Sequence, residues 1–179
     1  CGSANTLDNI SPMTISLWIR PFSQGEGIQS AIIGKNTSSG GSVALRFNSG
    51  SLYALRFTKG GTTSLNVVTV NNVVTPGKWQ HIAVRWSGST LATTVNIYVN
   101  GIEYGYGTQT NGVTLASDAG NNFVIGNSGD GSRTFDGEIA EVAIWNAYLD
   151  KSDIQSLASG VARMPLQIHK ESLRGYWPL

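Results

Sequence analysis

The chain has 179 residues, 40% of them hydrophobic and 13% charged, with 12 basic side chains against 11 acidic ones. That length favours one domain burying about 70% of its unfolded surface and excludes a cysteine-stapled miniprotein. The near-neutral charge leaves no electrostatic footprint for nucleic acid or acidic lipid, and no apolar run reaches the ~18 residues of a membrane helix.

The 22 glycines sit among abundant Ser, Thr and Asn, while apolar residues recur throughout, a composition of short strands joined by many turns. Cys1 is the only cysteine, which excludes an internal disulfide and a thiolate metal site. Gly2, Ser3 and Ala4 run into Leu7 without a polar tether, so the opening residues are expected inside a first strand at a fragment boundary rather than as a lipid anchor.

In segment 13–20, Met13, Ile15, Leu17 and Ile19 alternate with Thr14, Ser16, Trp18 and Arg20, the period of a half-buried strand, and Pro21 ends it. A short apolar stretch, 31–34, leads to a loop at 36–41. The tetrapeptide Ala44-Leu45-Arg46-Phe47 then recurs as Ala54-Leu55-Arg56-Phe57 across Asn48, Ser49 and Gly50. This predicts two arms of a hairpin that bury Leu and Phe and present Arg. A turn at 59–62 precedes the β-branched run 67–74, and Pro76-Gly77 forms the next turn.

Between Trp79 and Trp86, Ile82 and Val84 alternate with His81, Ala83 and Arg85, predicting another strand. Asn100-Gly101, with Val95, Ile97 and Val99 before it and Ile102 and Tyr104 after it, is the signature of a type I′ hairpin. That register pairs Val99 with Ile102, Ile97 with Tyr104, and Tyr98 with Glu103. Segments 123–126 and 138–145 predict two further strands around the polar loop 127–136. One helix is expected near 150–159, with Asp150 as N-cap, Asp153 in the first turn, Ile154, Leu157 and Ala158 on one face, and Gly160 past its end.

Short strands with turns every ~8 to 12 residues predict an all-β fold, an antiparallel two-sheet jelly-roll sandwich with one short helix, occupying 1–179 as one domain of a longer chain. Segments 13–21, 77–84, 95–101 and 135–146, followed by the helix, together resemble the laminin-G-like and pentraxin branch of the concanavalin A-like lectin/glucanase superfamily. The closing segment 173–179 resembles the strand that ends such a domain or begins the next copy in a tandem array.

The resemblance implies a scaffold that often binds carbohydrate, and the departures qualify it. Pentraxins bridge two strands with a cysteine pair, and the matching positions here are Ser16 and Ala83. Their calcium loop is rich in carboxylates, whereas here the corresponding loop offers Asn127, Asp130 and Asp136 and is shorter. Calcium takes six to eight oxygens, so a weak calcium site completed by carbonyls and Asp118 is the most this chain could offer.

Asp136, Glu138 and Glu141 raise the enzyme question, because laminarinase-type hydrolases of the superfamily place three carboxylates on one strand face. Here the spacing turns Glu141 to the opposite face of a regular strand, unless a bulge realigns it. The structural alternative pairs Glu141 with Arg20, Arg46 or Arg56. His81 and His169 have no metal-spaced partner, and His81 is expected to be structural. Asn36-Thr37-Ser38 is a glycosylation acceptor only in a eukaryotic secretory setting. Trp79, Trp86 and Trp145 are expected in the core, whereas Trp18 faces away from it, more as a covered side chain than as a ligand platform.

The expected function is non-enzymatic recognition within an extracellular, cell-surface or virion-associated protein, with a carbohydrate ligand implied by resemblance alone. The alternatives are a structural or protein-docking domain of an adhesin or virion appendage, and a β-glucan-active glycoside hydrolase. The expected binding residues are Asn127, Asp130 and Arg133 in the flexible polar loop, with Tyr104 and Tyr106 after the hairpin. No catalytic or metal residue is assigned, and no cofactor beyond the weak calcium ion; the partners are carbohydrate or protein, without nucleic acid or a membrane span.

Overall fold

The computed structural model describes residues 5–37, 40–160 and 164–179. Its strands are β1 (Met13–Pro21), β2 (Ala31–Thr37), β3 (Gly40–Phe47), β4 (Leu55–Lys59), β5 (Gly61–Thr63), β6 (Leu65–Thr69), β7 (Gln80–Trp86), β8 (Val95–Val99), β9 (Ile102–Glu103), β10 (Tyr106–Thr110), β11 (Val113–Leu115), β12 (Val124–Ile125), β13 (Gly137–Trp145) and β14 (Leu173–Trp177). Among the described residues one α-helix forms, α1 (Lys151–Ser159), between β13 and β14. Two six-stranded antiparallel sheets form, in the orders β14-β13-β1-β7-β8-β9 and β10-β6-β4-β3-β2-β12, and β5 pairs with β11 separately. The expected jelly-roll sandwich is the fold of this chain.

The alternation in β1 sets the layers. Ile15, Leu17 and Ile19 point inward, as do Ile82, Val84 and Trp86 of β7, and they meet Leu45, Phe47, Leu55 and Phe57 of the second sheet. Each fully buried aliphatic side chain contributes roughly 1.5–3 kcal/mol, so this interface carries most of the stability. The hairpin of β3 and β4 buries Leu and Phe and presents Arg as expected, with Leu45 opposite Phe57, Arg46 opposite Arg56 and Phe47 opposite Leu55. Ser16 stands directly opposite Ala83, which is where the resemblance placed a cysteine pair.

The outward face of the first sheet is covered. Ala83, Tyr98, Ala143 and Trp145 pack there against Leu149, Ile154, Leu157 and Ile168 in a second apolar cluster. The helix that closes this face has the predicted bounds, with Asp150 at its start and Gly160 left-handed (φ 65°) at its end. Asp150 caps with its backbone carbonyl, which accepts from the Asp153 and Ile154 amides, and makes no side-chain capping bond.

Inside the sandwich, two lysines are buried with an aspartate. Lys35 Nζ donates to Asp118 Oδ1 (2.7 Å), to Asp8 Oδ1 (2.6 Å) and to the Leu7 carbonyl (2.8 Å), while Lys59 Nζ donates to Asp118 Oδ2 (2.6 Å). The Asn9 amide also donates to Asp118, at 2.8 Å. These bonds fasten the segment before β1 to the loop after β11.

Several expectations need correction. Residues 5–7 form a 3-10 turn and the first strand begins at Met13, so Leu7 is not within a strand; Cys1 lies outside the described residues, as does Ser38 of the acceptor triplet. β2 continues through Thr37 and β3 starts at Gly40, so the expected loop at 36–41 is largely strand. The β-branched run stops being strand after Thr69, because the Val70 amide donates to Gly105 and the left-handed Asn72 turns the chain toward Leu52. β9 pairs only Val99 with Ile102 and Tyr98 with Glu103, so Tyr104 does not face Ile97. Trp86 and Trp145 are core residues, but Trp79 precedes β7 in a turn and is 42% exposed.

Candidate functional site

The acidic strand offers little to a hydrolase. Pairing of β1 with β13 slips between Ser16 and Trp18, so Glu141 and Val142 together oppose Leu17, and Glu141 has a positive φ of 53°. A bulge therefore exists where one was needed, and Glu138 and Glu141 are each held by a different neighbour. Glu138 pairs with Arg20 at 3.2 Å, Glu141 accepts the Tyr176 hydroxyl at 2.5 Å, and Asp136 accepts from Ser23 Oγ at 2.7 Å. The expected arginine partner of Glu141 is replaced by a tyrosine. Burial, with Glu141 beside it, pushes the Tyr176 hydroxyl up to about 12, so it remains the donor.

His81 is buried at 1% exposure, with Nε2 2.8 Å from Ser16 Oγ, and burial lowers its pKa to about 3. It is a neutral structural side chain whose Nδ1 has no partner. Trp18 stands edge-on to it at 5.5 Å and is half-buried, with Gly160 at the end of α1 against its indole. His169 lies near Asp153 at 3.1 Å on the surface.

The expected binding residues do not assemble as one site. The loop after β12 uses its own polar groups to hold its shape: Asp130 Oδ1 accepts from Ser128 Oγ (2.5 Å), Ser132 Oγ (2.7 Å) and the Ser132 amide (3.1 Å). Those bonds hold the Asp130 carboxyl down at about 2. Asn127 Oδ1 accepts from the Ser128 and Arg133 amides. Tyr106 donates to Glu103 at 2.7 Å and accepts the Ile97 amide at 3.0 Å, so it bridges the sheets instead of facing solvent; burial raises its pKa. Tyr104 is exposed beside β10, at the opposite edge of the second sheet from the loop. At least four strand spacings, roughly 19 Å, separate the two regions.

Arg133 belongs to a different constellation. Its carbonyl accepts the Ala31 amide at 2.9 Å, and Ala31 is opposite Arg46, so the loop is joined to the edge of β2 that faces away from β3, one strand from Arg46. One row crosses that face: Arg46 is opposite Arg56, Arg56 opposite Val68, and Val68 opposite Thr108. Ala44, Thr58 and Val68 point outward yet are only 9%, 8% and 5% exposed, so the face is recessed. Beyond Val68 the row opens into a cleft of about 370 Å³ lined by Asn48, Ser51, Val68, Asn71 and Thr108. That volume lies at the small end of the ~300–1,000 Å³ usual for small-molecule sites.

The repeated Ala-Leu-Arg-Phe signalled that two arginines would face outward. Neither Arg133's arrival beside them nor the polar cleft had a sequence signal, because both depend on which strands pair.

Both oxygens of Asp118 are taken by lysine ammonium groups, and Asp130 is taken by two serines. Among the described residues no group of three or more His, Cys, Asp or Glu side chains is placed to hold a metal ion.

No curated protein matches the chain. Among solved structures it is similar to the native heptameric SAP-like pentraxin of Limulus polyphemus, with TM-score 0.60, 17% identity, and coverage of 87% of this chain and 73% of that one. Domain 4 of AbnA, an extracellular GH43 arabinanase of Geobacillus stearothermophilus in complex with arabinotriose, gives TM-score 0.60 at 22% identity over 84% and 69% of the two chains. The CBM40 of the Ruminococcus gnavus IT-sialidase, bound to α2,3 sialyllactose, gives 0.61 at 13% identity over 83% of each. Among the described residues no helix is long and apolar enough to cross a membrane. The family described as the concanavalin A-like lectin/glucanases superfamily matches residues 2–155, and the chain belongs to it.

Proposed function

We propose that the chain is a carbohydrate-recognition module that binds without catalysing, through the outward face of its second sheet. The observation that carries this reading is the contrast between the two outward faces. The first is sealed by α1 and Ile168, whereas the second is recessed, lined with arginine, asparagine, serine and threonine, and opens into a small cleft. Sugars present hydroxyls that both donate and accept, so neutral amide and hydroxyl groups around such a cleft are suitable partners. The bound sugars in the AbnA domain and in the CBM40 support the same reading at the level of the fold. Asp136, Glu138 and Glu141 each have a structural partner, which favours binding over hydrolysis. An extracellular or surface setting, as for the arabinanase, belongs to this proposal.

The test is a panel of neutral and acidic oligosaccharides titrated against wild type and Thr108→Trp, which fills the cleft from an exposed position on β10. Saturable wild-type binding that is lost in the variant, with an unchanged circular dichroism spectrum, is the expected result. Binding that survives Thr108→Trp unaltered places the ligand elsewhere.

A further inference from the structure

Arg46 and Arg56 are a like-charge pair directly opposite each other on adjacent strands, an arrangement that destabilises a sheet. Antiparallel partners approach to ~4.5–5.5 Å between Cβ atoms, and a third guanidinium, Arg133, is close enough to act electrostatically on both. Burial, then Arg56 and Arg133, push the Arg46 guanidinium down to about 10, and burial followed by Arg133 lowers Arg56 as well. Among the described residues no carboxylate lies within ion-pairing distance of any of the three, although Arg20 has Glu138 and the buried lysines have Asp8 and Asp118.

The arrangement is built to present donors. Arg56 Nε is held by Asn66 Oδ1 at 2.6 Å, a neutral acceptor that orients the guanidinium without neutralising it. Arg46 Nε is shielded from solvent and has no hydrogen-bond partner. A buried donor without an acceptor is unfavourable, and a charged one more so. Glu26, which accepts the Thr134 amide at 3.0 Å and feels the Arg133 charge, is not within ion-pairing distance of that guanidinium. The missing group is an anion with planar or tetrahedral oxygens, which a guanidinium fork binds through paired N–H bonds.

We propose that the ligand is an acidic sugar whose carboxylate or sulfate ester sits on Arg46, Arg56 and Arg133 while its ring hydroxyls reach along the row to Val68, Thr108 and the adjoining cleft. This rests on the carbohydrate reading above and adds the ligand's charge. The site's small size favours one anionic group over a polyanion: the row passes from arginine to neutral side chains within two strands.

The experiment is isothermal titration of the chain with trigalacturonate, its methyl ester, α2,3-sialyllactose, a sulfated heparin disaccharide, and neutral cellotriose and arabinotriose. The expected result is binding of a carboxylated or sulfated probe, weakened at least tenfold by Arg46→Gln and by Arg133→Gln. If trigalacturonate is the ligand, esterification abolishes its binding; the sulfated arm separates sulfate from carboxylate. Arg133 lies in the loop, so its variant tests the claim even if Arg46→Gln fails to fold. Binding of a neutral sugar as tightly as its acidic counterpart, indifferent to both variants, overturns the charge inference and leaves carbohydrate recognition standing. No binding of any sugar overturns both.

Discussion

Lys35 and Asp118 meet inside the protein at 2.7 Å across 83 positions of sequence, and Lys59 meets the other oxygen of the same carboxylate at 2.6 Å. Removing the carboxylate leaves two ammonium groups buried, with Asp8 still paired to Lys35 and no acid paired to Lys59 among the described residues. Breaking a buried ion pair from one side costs about 3–5 kcal/mol. Asp118→Ala is therefore expected to lower unfolding free energy in urea at pH 7 by that amount. A loss below about 1 kcal/mol would contradict the role given to this cluster.

Acid should weaken the fold in two stages. Unfolded His81 takes up a proton below about 6.5, while folded His81 stays neutral down to about 3. The unfolded chain thus binds more protons in that window, so the histidine's contribution is complete above pH 6.5 and is lost as pH falls toward 3, at up to ~1.36 kcal/mol per unit. At Asp118 burial opposes ionisation, but the bonds from Lys35 and Lys59 prevail and its pKa is lowered. Its contribution is present above about pH 3.9 and fades at lower pH. Denaturant midpoints should fall steadily from pH 7 to 4, and His81→Gln should flatten the upper part of that slope. A midpoint that rises on acidification over this range contradicts the assignment.

The acidic strand should matter to stability and not to chemistry. Tyr176→Phe removes the hydroxyl from Glu141, and a hydrogen bond to a charged group is worth about 1.5–3 kcal/mol, at the low end for this partly exposed pair. Glu138→Gln and Glu141→Gln should leave sugar affinity unchanged, and neither they nor wild type should release reducing ends from β-glucan. Release by wild type that is abolished in Glu138→Gln would restore the hydrolase reading.

The hairpin turn offers a backbone test. Asn100 and Gly101 have φ of 51° and 76°, and a Cβ on Gly101 would lie 3.3 Å from the Ala158 side chain on α1. Left-handed backbone disfavours a side chain by about 1–2 kcal/mol, so Gly101→Ala should lower the melting temperature by several degrees. A melting temperature unchanged within a degree would show that the turn tolerates the strain.

Local patterns were legible wherever alternation or turn chemistry was strong. The inward Ile15, Leu17 and Ile19, the β3–β4 hairpin with Leu and Phe inside and Arg outside, the Asn100-Gly101 turn and α1 all follow from short-range signals. Trp79 misled because an indole favours burial, yet the turn after Pro76-Gly77 leaves it outside the sheet. Glu141's orientation required a bulge, whose position alternation alone does not give. The arginine constellation joins positions 46, 56 and 133, and its third member arrives through the docking of the loop on Ala31, a long-range pairing invisible to local periodicity. Asp130 drew attention as the carboxylate of a flexible polar loop, but nearby serines satisfy it.

The central claim is that ligand lies on the outward face of the second sheet, and backbone amide NMR tests it most directly. The labelled chain would be titrated with the tightest binder of the oligosaccharide panel, first in calcium and then in chelator. The account predicts shifts clustered at Arg46, Arg56, Val68, Thr108 and Asn48, the same in both conditions because direct bonds hold the sugar. Shifts centred on Tyr104 or on Trp18, or shifts that vanish in chelator, would contradict it.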